Sequence, residues 1–194
     1  MKVIFLDNDG VICLSNNWGG RMKKQQKWGG RKLSMTQKEI PLEYRFDDFD
    51  KKAIKVLNKI LEETDAEIVV SSDWRTFATL EELGEYYTNQ GIIKKPIGFT
   101  KLLGQCEQPE EFPWSRNEDR EQCRSLEILQ YLKDHPEVTH WVAVDDLHMG
   151  IHVENSSYGA FDRDWGLSNF VWTPRDWEGI KQTGIKEKII KHLK

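Results

Sequence analysis

Lys2-Val3-Ile4-Phe5-Leu6-Asp7-Asn8-Asp9-Gly10 is the stretch on which the reading of the fold turns. Its apolar residues run without a break, as in a strand covered on both faces; a strand with one wet face would alternate. The run stops at Asp7, a second carboxylate follows at Asp9, and Gly10 lets the backbone turn sharply. A buried strand that delivers two carboxylates at its carboxyl end is suited to chemistry at the edge of a sheet.

Working outward, strands and helices alternate. Residues 48–63 place Ile54, Leu57, Ile60 and Leu61 on one helical stripe, with Asp47, Asp48 or Asp50 available as N-cap. Residues 67–71 read as a second buried strand, and 75–90 as a helix stopped by Gly91. A third strand is expected within Ile97–Leu103. Residues 120–133 read as a helix with Leu126, Leu129 and Leu132 on one face. Residues 141–144 form another buried strand leading to Asp145, residues 169–173 a weaker one, and residues 185–193 a closing helix. This alternation predicts one α/β domain over residues 1–194: a doubly wound parallel sheet with helices on both faces. Right-handed crossovers then place the strand carboxyl ends along one edge, where such sheets bind ligands. Asp7, Ser71 and Asp145 are expected to meet there. Residues 13–45, after the first strand, break the alternation and are long for a connecting loop, of the kind that is often functional; residues 104–119 break it as an acidic, proline-containing loop.

Composition narrows the class. Hydrophobic residues make up 38% and charged residues 31% of 194, which suits a soluble globular domain rather than a disordered chain. A net charge of −4 supplies no global basic field for nucleic acid, so such binding would need a local patch. Cys13, Cys106 and Cys123 are an odd number without metal-site spacing; this argues against a disulfide framework and for a reducing cytoplasm. The first apolar run is too short for a signal peptide, no segment approaches a membrane span, and no obligate protein partner is indicated.

The carboxylates suggest phosphoryl chemistry. Asp7 is placed to attack phosphorus and form an aspartyl-phosphate. Asp9 is placed to protonate the leaving oxygen and then to deprotonate a water. A carboxylate and a phosphate dianion repel each other, so a divalent cation is required between them, and Mg²⁺ suits oxygen ligands. Asp145 and Asp146 add carboxylates from another strand end. Ser71, with Ser72 beside it, offers a hydroxyl to a phosphate oxygen, and a basic side chain should offset charge on the transferring group. Strand-end aspartates that merely cap helices or turns would account for Asp-x-Asp-Gly alone; the ordered set of three strand ends is more specific.

VIFLDNDG, IVVSS and VAVDD resemble the first, second and fourth motifs of the haloacid dehalogenase-like (HAD) superfamily. IVVSSDWR, PIGFT, CRSLEILQYL, WVAVDD and WTPRDWEGI together resemble the HAD domain of Swiss Army Knife RNA-repair proteins. The resemblance covers most of the chain outside 13–45 and 104–119. It implies Asp7 as nucleophile, Asp9 as general acid/base, and Mg²⁺ held by Asp7, the Asp9 carbonyl and Asp145 or Asp146. It implies Ser71 as a phosphate ligand and Arg124 as the third-motif base, with Arg120 and Lys133 close by in sequence. Asn8, between the two aspartates, departs from the superfamily's usual residues there. Arg75 in SSDWR is a candidate substrate contact or a surface arginine at a helix start.

In the superfamily an insertion at 13–45 forms a cap over the site. Residues 14–38 hold seven Lys or Arg (Arg21, Lys23, Lys24, Lys27, Arg31, Lys32, Lys38), no acid, and Trp-Gly-Gly-Arg twice, at 18–21 and 28–31. Such a cap suits a phosphorylated substrate, through charge and base stacking, with Arg21, Lys23, Lys24 and Arg31 as contacts; a solvated basic loop is the plainer reading. His140, His148 and His152 are set aside as Mg²⁺ ligands because that ion prefers oxygen. Cys13 is assigned to packing. The sequence thus favours a Mg²⁺-dependent phosphatase acting on nucleic-acid ends or nucleotides. A phosphatase of small metabolites or phosphoproteins, and a non-catalytic module of the same fold, are the competing readings.

Overall fold

The structure, a computed structural model, describes residues 1–29, 39–103, 117–150 and 166–194. Among these residues five strands form one sheet: β1 (Lys2–Leu6), β2 (Glu67–Val70), β3 (Gly98–Phe99), β4 (His140–Asp145) and β5 (Phe170–Trp172). Their spatial order is β3-β2-β1-β4-β5, and every neighbouring pair is parallel. The first strand of the sequence therefore sits at the centre, where both faces must be apolar. Ile4 and Leu6 enter one core with Ile68, Val70, Val142 and Val144, while Val3 and Phe5 enter a second core with Val69 and Ala143. This two-sided burial is why the strand reads as a continuous apolar run.

The larger core is closed by three helices, α3 (Lys51–Thr64), α4 (Leu80–Gln90) and α6 (Ile185–Leu193). In α3 the stripe of Ile54, Leu57, Ile60 and Leu61 is buried, each side chain contributing about 1.5–3 kcal/mol by leaving water. The carboxylate of Asp50 accepts the N–H groups of Lys52 and Ala53, which settles the N-cap among the three candidates. The helix anticipated over 75–90 begins later. A 3-10 turn spans Asp73–Thr76, and α4 starts after Thr79, whose hydroxyl forms a reciprocal capping box with Glu82. Gly91 ends α4 at φ 97°.

The other face carries α5 (Asn117–Asp134), which buries Ile128 and packs Tyr131 and Leu132 on the smaller core. Leu126 and Leu129 are 38% and 39% exposed, so of the expected leucine face only Leu132 packs on the core. The inward positions are Glu121, Arg124, Ser125, Glu127 and Ile128. The third strand is also shorter than expected, two residues at the sheet's edge. Cys123 is disulfide-bonded and Cys13 is free and buried, so the odd cysteine count does not exclude a disulfide; the partner of Cys123 lies outside the described residues.

Within the insertion, a 3-10 turn at Ser15–Asn17 leads to α1 (Gly20–Gly29), and α2 (Leu42–Arg45) returns the chain to the domain. Trp28 stacks on Tyr44 across the two helices at 5.7 Å. Asp47 fixes the start of α1 by accepting the N–H groups of Gly19 and Arg21. Arg31 lies outside the described residues, as does most of 104–119.

Candidate active site

Register alone brings three strand ends together. Leu6 pairs with Val70 on one side and Val144 on the other, so Asp7, Ser71 and Asp145 follow at the same level of the sheet edge. Past Asp7 the backbone coils tightly. The Asn8 carbonyl accepts the N–H groups of Val11, Ile12 and Cys13, and Gly10 adopts φ 69°. A Cβ at Gly10 would lie 2.4 Å from Asp146 Oδ2, so only glycine lets that carboxylate come in. The Asn8 side chain is buried and accepts the Tyr87 hydroxyl at 2.6 Å; the residue that departs from the superfamily pattern anchors the loop to α4.

Asp7, Asp145 and Asp146 each present an oxygen within 4.8 Å of the other two. Arg124 reaches them from α5. Its guanidinium donates to Asp145 Oδ2 at 2.9 Å and stands 3.1 Å from Asp7 Oδ1 and 3.2 Å from Asp73. Asp145 also accepts the Leu147 N–H. A cavity of about 200 Å³ opens on this cluster, lined by Asp7, Asp9, Trp18, Asp73, Arg120, Arg124, Asp146 and Leu147. The side chain of Asp9 faces the cavity but stands outside the three-carboxylate group; its Oδ2 accepts the Trp74 indole N–H at 2.8 Å.

The electrostatics follow from crowding. Burial, together with Asp145, Asp146 and Asp9, pushes the pKa of Asp7 well above the ordinary carboxylate range, against the pull of Arg124. Burial and then Asp145 raise Asp146 to about 7. Burial also raises Asp9, opposed by hydrogen bonds from Trp74 and Cys13 and by the charge of Arg21. Arg124 would be lowered by burial, but Asp145, Asp7 and Asp73 hold its pKa well above the normal value. One guanidinium among three convergent carboxylates leaves excess negative charge. Hard oxygen donors, close spacing and uncompensated charge all fit a divalent cation such as Mg²⁺.

Other candidates fall in different places. Ser71 and Ser72 are buried, and their hydroxyls have no hydrogen-bond partner among the described residues. They do not line the cavity as it stands. Arg75 bonds Thr100 and forms an ion pair with Glu127 in which both side chains are 5% exposed; its guanidinium holds β3 and α5 to the loop after β2. Arg21 and Lys24 pair with Asp47 and Asp48, at 3.9 and 2.8 Å, and Lys23 is exposed on α1. Arg120 meets Asp73 at the rim at 2.7 Å. Asp73 and Trp74, inside the SSDWR stretch, were not marked as site residues by sequence reasoning. An acid and an indole at a helix start carry no signal of what they will face.

A family model for the HAD domain in Swiss Army Knife RNA repair proteins matches residues 3–169. The chain belongs to this family. The match runs through Asp7, Ser71, Arg124 and Asp145, the positions that the geometry draws together. HAD domains are hydrolytic, typically phosphatases, and generally use Mg²⁺. No curated protein and no solved structure gives a significant match to the chain. Among the described residues no helix is long and apolar enough to cross a membrane.

Proposed function

We propose that this HAD domain is a Mg²⁺-dependent phosphomonoesterase that works through an aspartyl-phosphate on Asp7, acting on a phosphorylated nucleic-acid end or nucleotide. The observation that carries the reading is the meeting of Asp7, Asp145 and Asp146 oxygens within 4.8 Å, with Asp7, Asp146 and Asp9 lining one cavity. Bound Mg²⁺ would offset the charge that otherwise keeps a carboxylate and a phosphate apart. Asp7, Asp145, Asp146 and the Asp9 carbonyl would hold it.

An Asp7 oxygen attacks phosphorus, and the bond from phosphorus to the leaving oxygen breaks as Asp9 gives that oxygen a proton. Asp9, now a carboxylate, takes a proton from a water that attacks the same phosphorus and frees Asp7. Arg124 stands where it stabilises negative charge on the transferring group, and the Ser71 hydroxyl is the candidate donor to a phosphoryl oxygen. A cavity of about 200 Å³ has room for a phosphoryl group but not for a nucleoside, so the rest of the substrate extends past Trp18 and Arg120. Residues 13–45 act as the cap. They place Trp18, 46% exposed, on the cavity wall and Lys23 and Lys27 on the open face of α1. An exposed indole with nearby cations suits a nucleobase and its phosphates, and the family's tie to RNA repair points to the same substrate class.

The test is turnover with Mg²⁺ of a 3′-phosphorylated oligonucleotide beside a mononucleotide and p-nitrophenyl phosphate. The oligonucleotide should be preferred, Trp18→Ala and a Lys23→Ala/Lys27→Ala variant should reduce that preference, and Asp7→Asn should abolish turnover of all three. Equal, feeble turnover of all three by the wild type refutes the nucleic-acid preference, and activity surviving in Asp7→Asn refutes the mechanism.

A further inference from the structure

The indole N–H of Trp74 meets Asp9 Oδ2 at 2.8 Å, and the ring that carries it is unusually well held. Trp74 is 4% exposed. It stacks on Phe46 at 4.4 Å and on Phe49 at 5.3 Å, with ring planes 10° and 18° apart, and it meets Tyr86 edge-on at 5.9 Å. Phe46 and Phe49 flank the junction from the insertion into α3, and Tyr86 is on α4; the Tyr86 hydroxyl in turn donates to the Asp47 carbonyl. The indole is thus fixed by three separate parts of the chain. Such packing is more than solvent exclusion demands, and it fixes one polar atom on one oxygen of Asp9.

An indole N–H donates and never accepts. When Asp9 is protonated, the oxygen facing Trp74 is therefore the acceptor, and the acidic proton belongs on Oδ1. We propose that Trp74 is a positioning residue for the general acid. It holds Asp9 in one rotamer with Oδ2 bound and leaves Oδ1 to hand its proton to the leaving oxygen. The bookkeeping is simple: the phosphorus–oxygen bond of the ester breaks as the Asp7–phosphorus bond forms, the Oδ1 proton moves to the departing oxygen, and Asp9 is left as a carboxylate that still accepts from Trp74. The inference rests on the phosphatase reading and adds to it a residue that does not itself touch substrate. Cys13 also hydrogen-bonds Asp9, and its thiol, a weak donor, reaches the Asp47 carbonyl at 4.0 Å.

The decisive variant is Trp74→Phe, which keeps an aromatic ring beside Phe46 and Phe49 while removing the donor and part of the indole's bulk. An alkyl phosphate needs its leaving oxygen protonated, whereas p-nitrophenolate departs without a proton. General acid catalysis contributes about 10²–10⁴-fold. Trp74→Phe should accordingly lose about tenfold or more in kcat/KM on a nucleoside 3′-phosphate and less than about threefold on p-nitrophenyl phosphate, because kcat/KM reports the transfer to Asp7 and not the later water step that both esters share. In an Asp9→Ala background, Trp74→Phe should have no further effect on the nucleoside substrate, because its action passes through Asp9. Equal losses on both esters, or full additivity with Asp9→Ala, would overturn the proposal in favour of a structural role.

A second measurement needs no turnover. The ¹⁵N–¹H resonance of the Trp74 indole, assigned by its disappearance in Trp74→Phe, should move in Asp9→Ala more than any other indole signal and exchange faster with solvent. An unmoved resonance overturns the contact itself. A wild type inactive on both esters but with the shifted indole signal would sink the phosphatase reading and leave the anchoring of Asp9 standing.

Discussion

Replacing Arg124 by Met tests the electrostatics of the site directly. The side chain is 7% exposed and lies 2.9 Å from Asp145, 3.1 Å from Asp7 and 3.2 Å from Asp73. Met fills much of the same volume, so the loss is chiefly of charge and hydrogen bonds. Asp7 and Asp145 are 3% and 1% exposed and would be left without their cation. Removing one partner of a buried ion pair costs about 3–5 kcal/mol, because the remaining charge stays desolvated. The cost must depend on pH. The pKa values of Asp7 and Asp146 are already raised, Asp146 to about 7, and loss of Arg124 raises the cluster further. Well below those values the folded variant keeps protons on the carboxylates and escapes most of the penalty; above them the bare charges cost their full amount.

Urea unfolding of wild type and Arg124→Met in EDTA should therefore give a destabilisation of about 3–5 kcal/mol at about pH 8 and clearly less at about pH 5. Mg²⁺ at a hundred times its Kd should stabilise either protein by about 2.7 kcal/mol. A destabilisation below about 1 kcal/mol, or one that is the same at both pH values, would refute the claim that three convergent carboxylates depend on this guanidinium.

The wild type without metal should itself lose stability as pH rises from about 4 to about 7, because across that window folded Asp146 keeps a proton that the unfolded chain has released; Mg²⁺ should flatten the slope, as a thermal-melt series across pH would read. Gly10→Ala puts a methyl 2.4 Å from Asp146 Oδ2 at φ 69°, so Mg²⁺ affinity measured by calorimetry should fall at least about tenfold, with about 1–3 kcal/mol lost in unfolding. Gly179→Ala drives a Cβ to 2.2 Å from the Val11 carbonyl at φ 53°; kcat should fall without any change in the residues that line the cavity, because the Asp7–Cys13 turn is displaced from behind. An unchanged kcat in Gly179→Ala would mean that the turn yields without moving Asp7.

The central strand was legible because burial on both faces leaves a continuous apolar run where a half-wet strand would alternate, and its short length and the Asp-Gly stop set it apart from a buried helix. β1 and β4 carry it, and the strand-end residues Asp7, Ser71 and Asp145 inherit their places from register. The stripe of α3 was legible for the complementary reason, since one apolar face meets one core. The short edge strand at Gly98–Phe99 was not, because an edge strand needs few ladder bonds and two residues carry little pattern. Arg75 illustrates a different limit. Its position beside Ser71 and Ser72 suggested substrate, but a buried guanidinium takes the nearest carboxylate, and Glu127 on α5 is far away in sequence. The Trp74–Asp9 contact spans 65 residues, and nothing local to either residue announces it.

Helix α5 shows why the reading failed most instructively next to the site. Glu121, Arg124, Ser125 and Ile128 are spaced i, i+3, i+4 and i+7, the same periodicity that marks a buried face elsewhere in the chain. The stripe is written in polar residues, whereas Leu126 and Leu129, which a hydrophobic scan rewards, lie on another face. Charged residues turn inward only where they find partners. Here Glu121 accepts the His148 N–H, Arg124 spans Asp7, Asp145 and Asp73, and Glu127 takes Arg75 and the Leu103 N–H. Those partners come from the strand ends and the loop beyond them, so the inward face of α5 exists only once the sheet edge is assembled. A helix whose regular stripe is charged is therefore better read as a wall of a site than as a solvated surface, and the strand ends opposite it are where its partners should be sought.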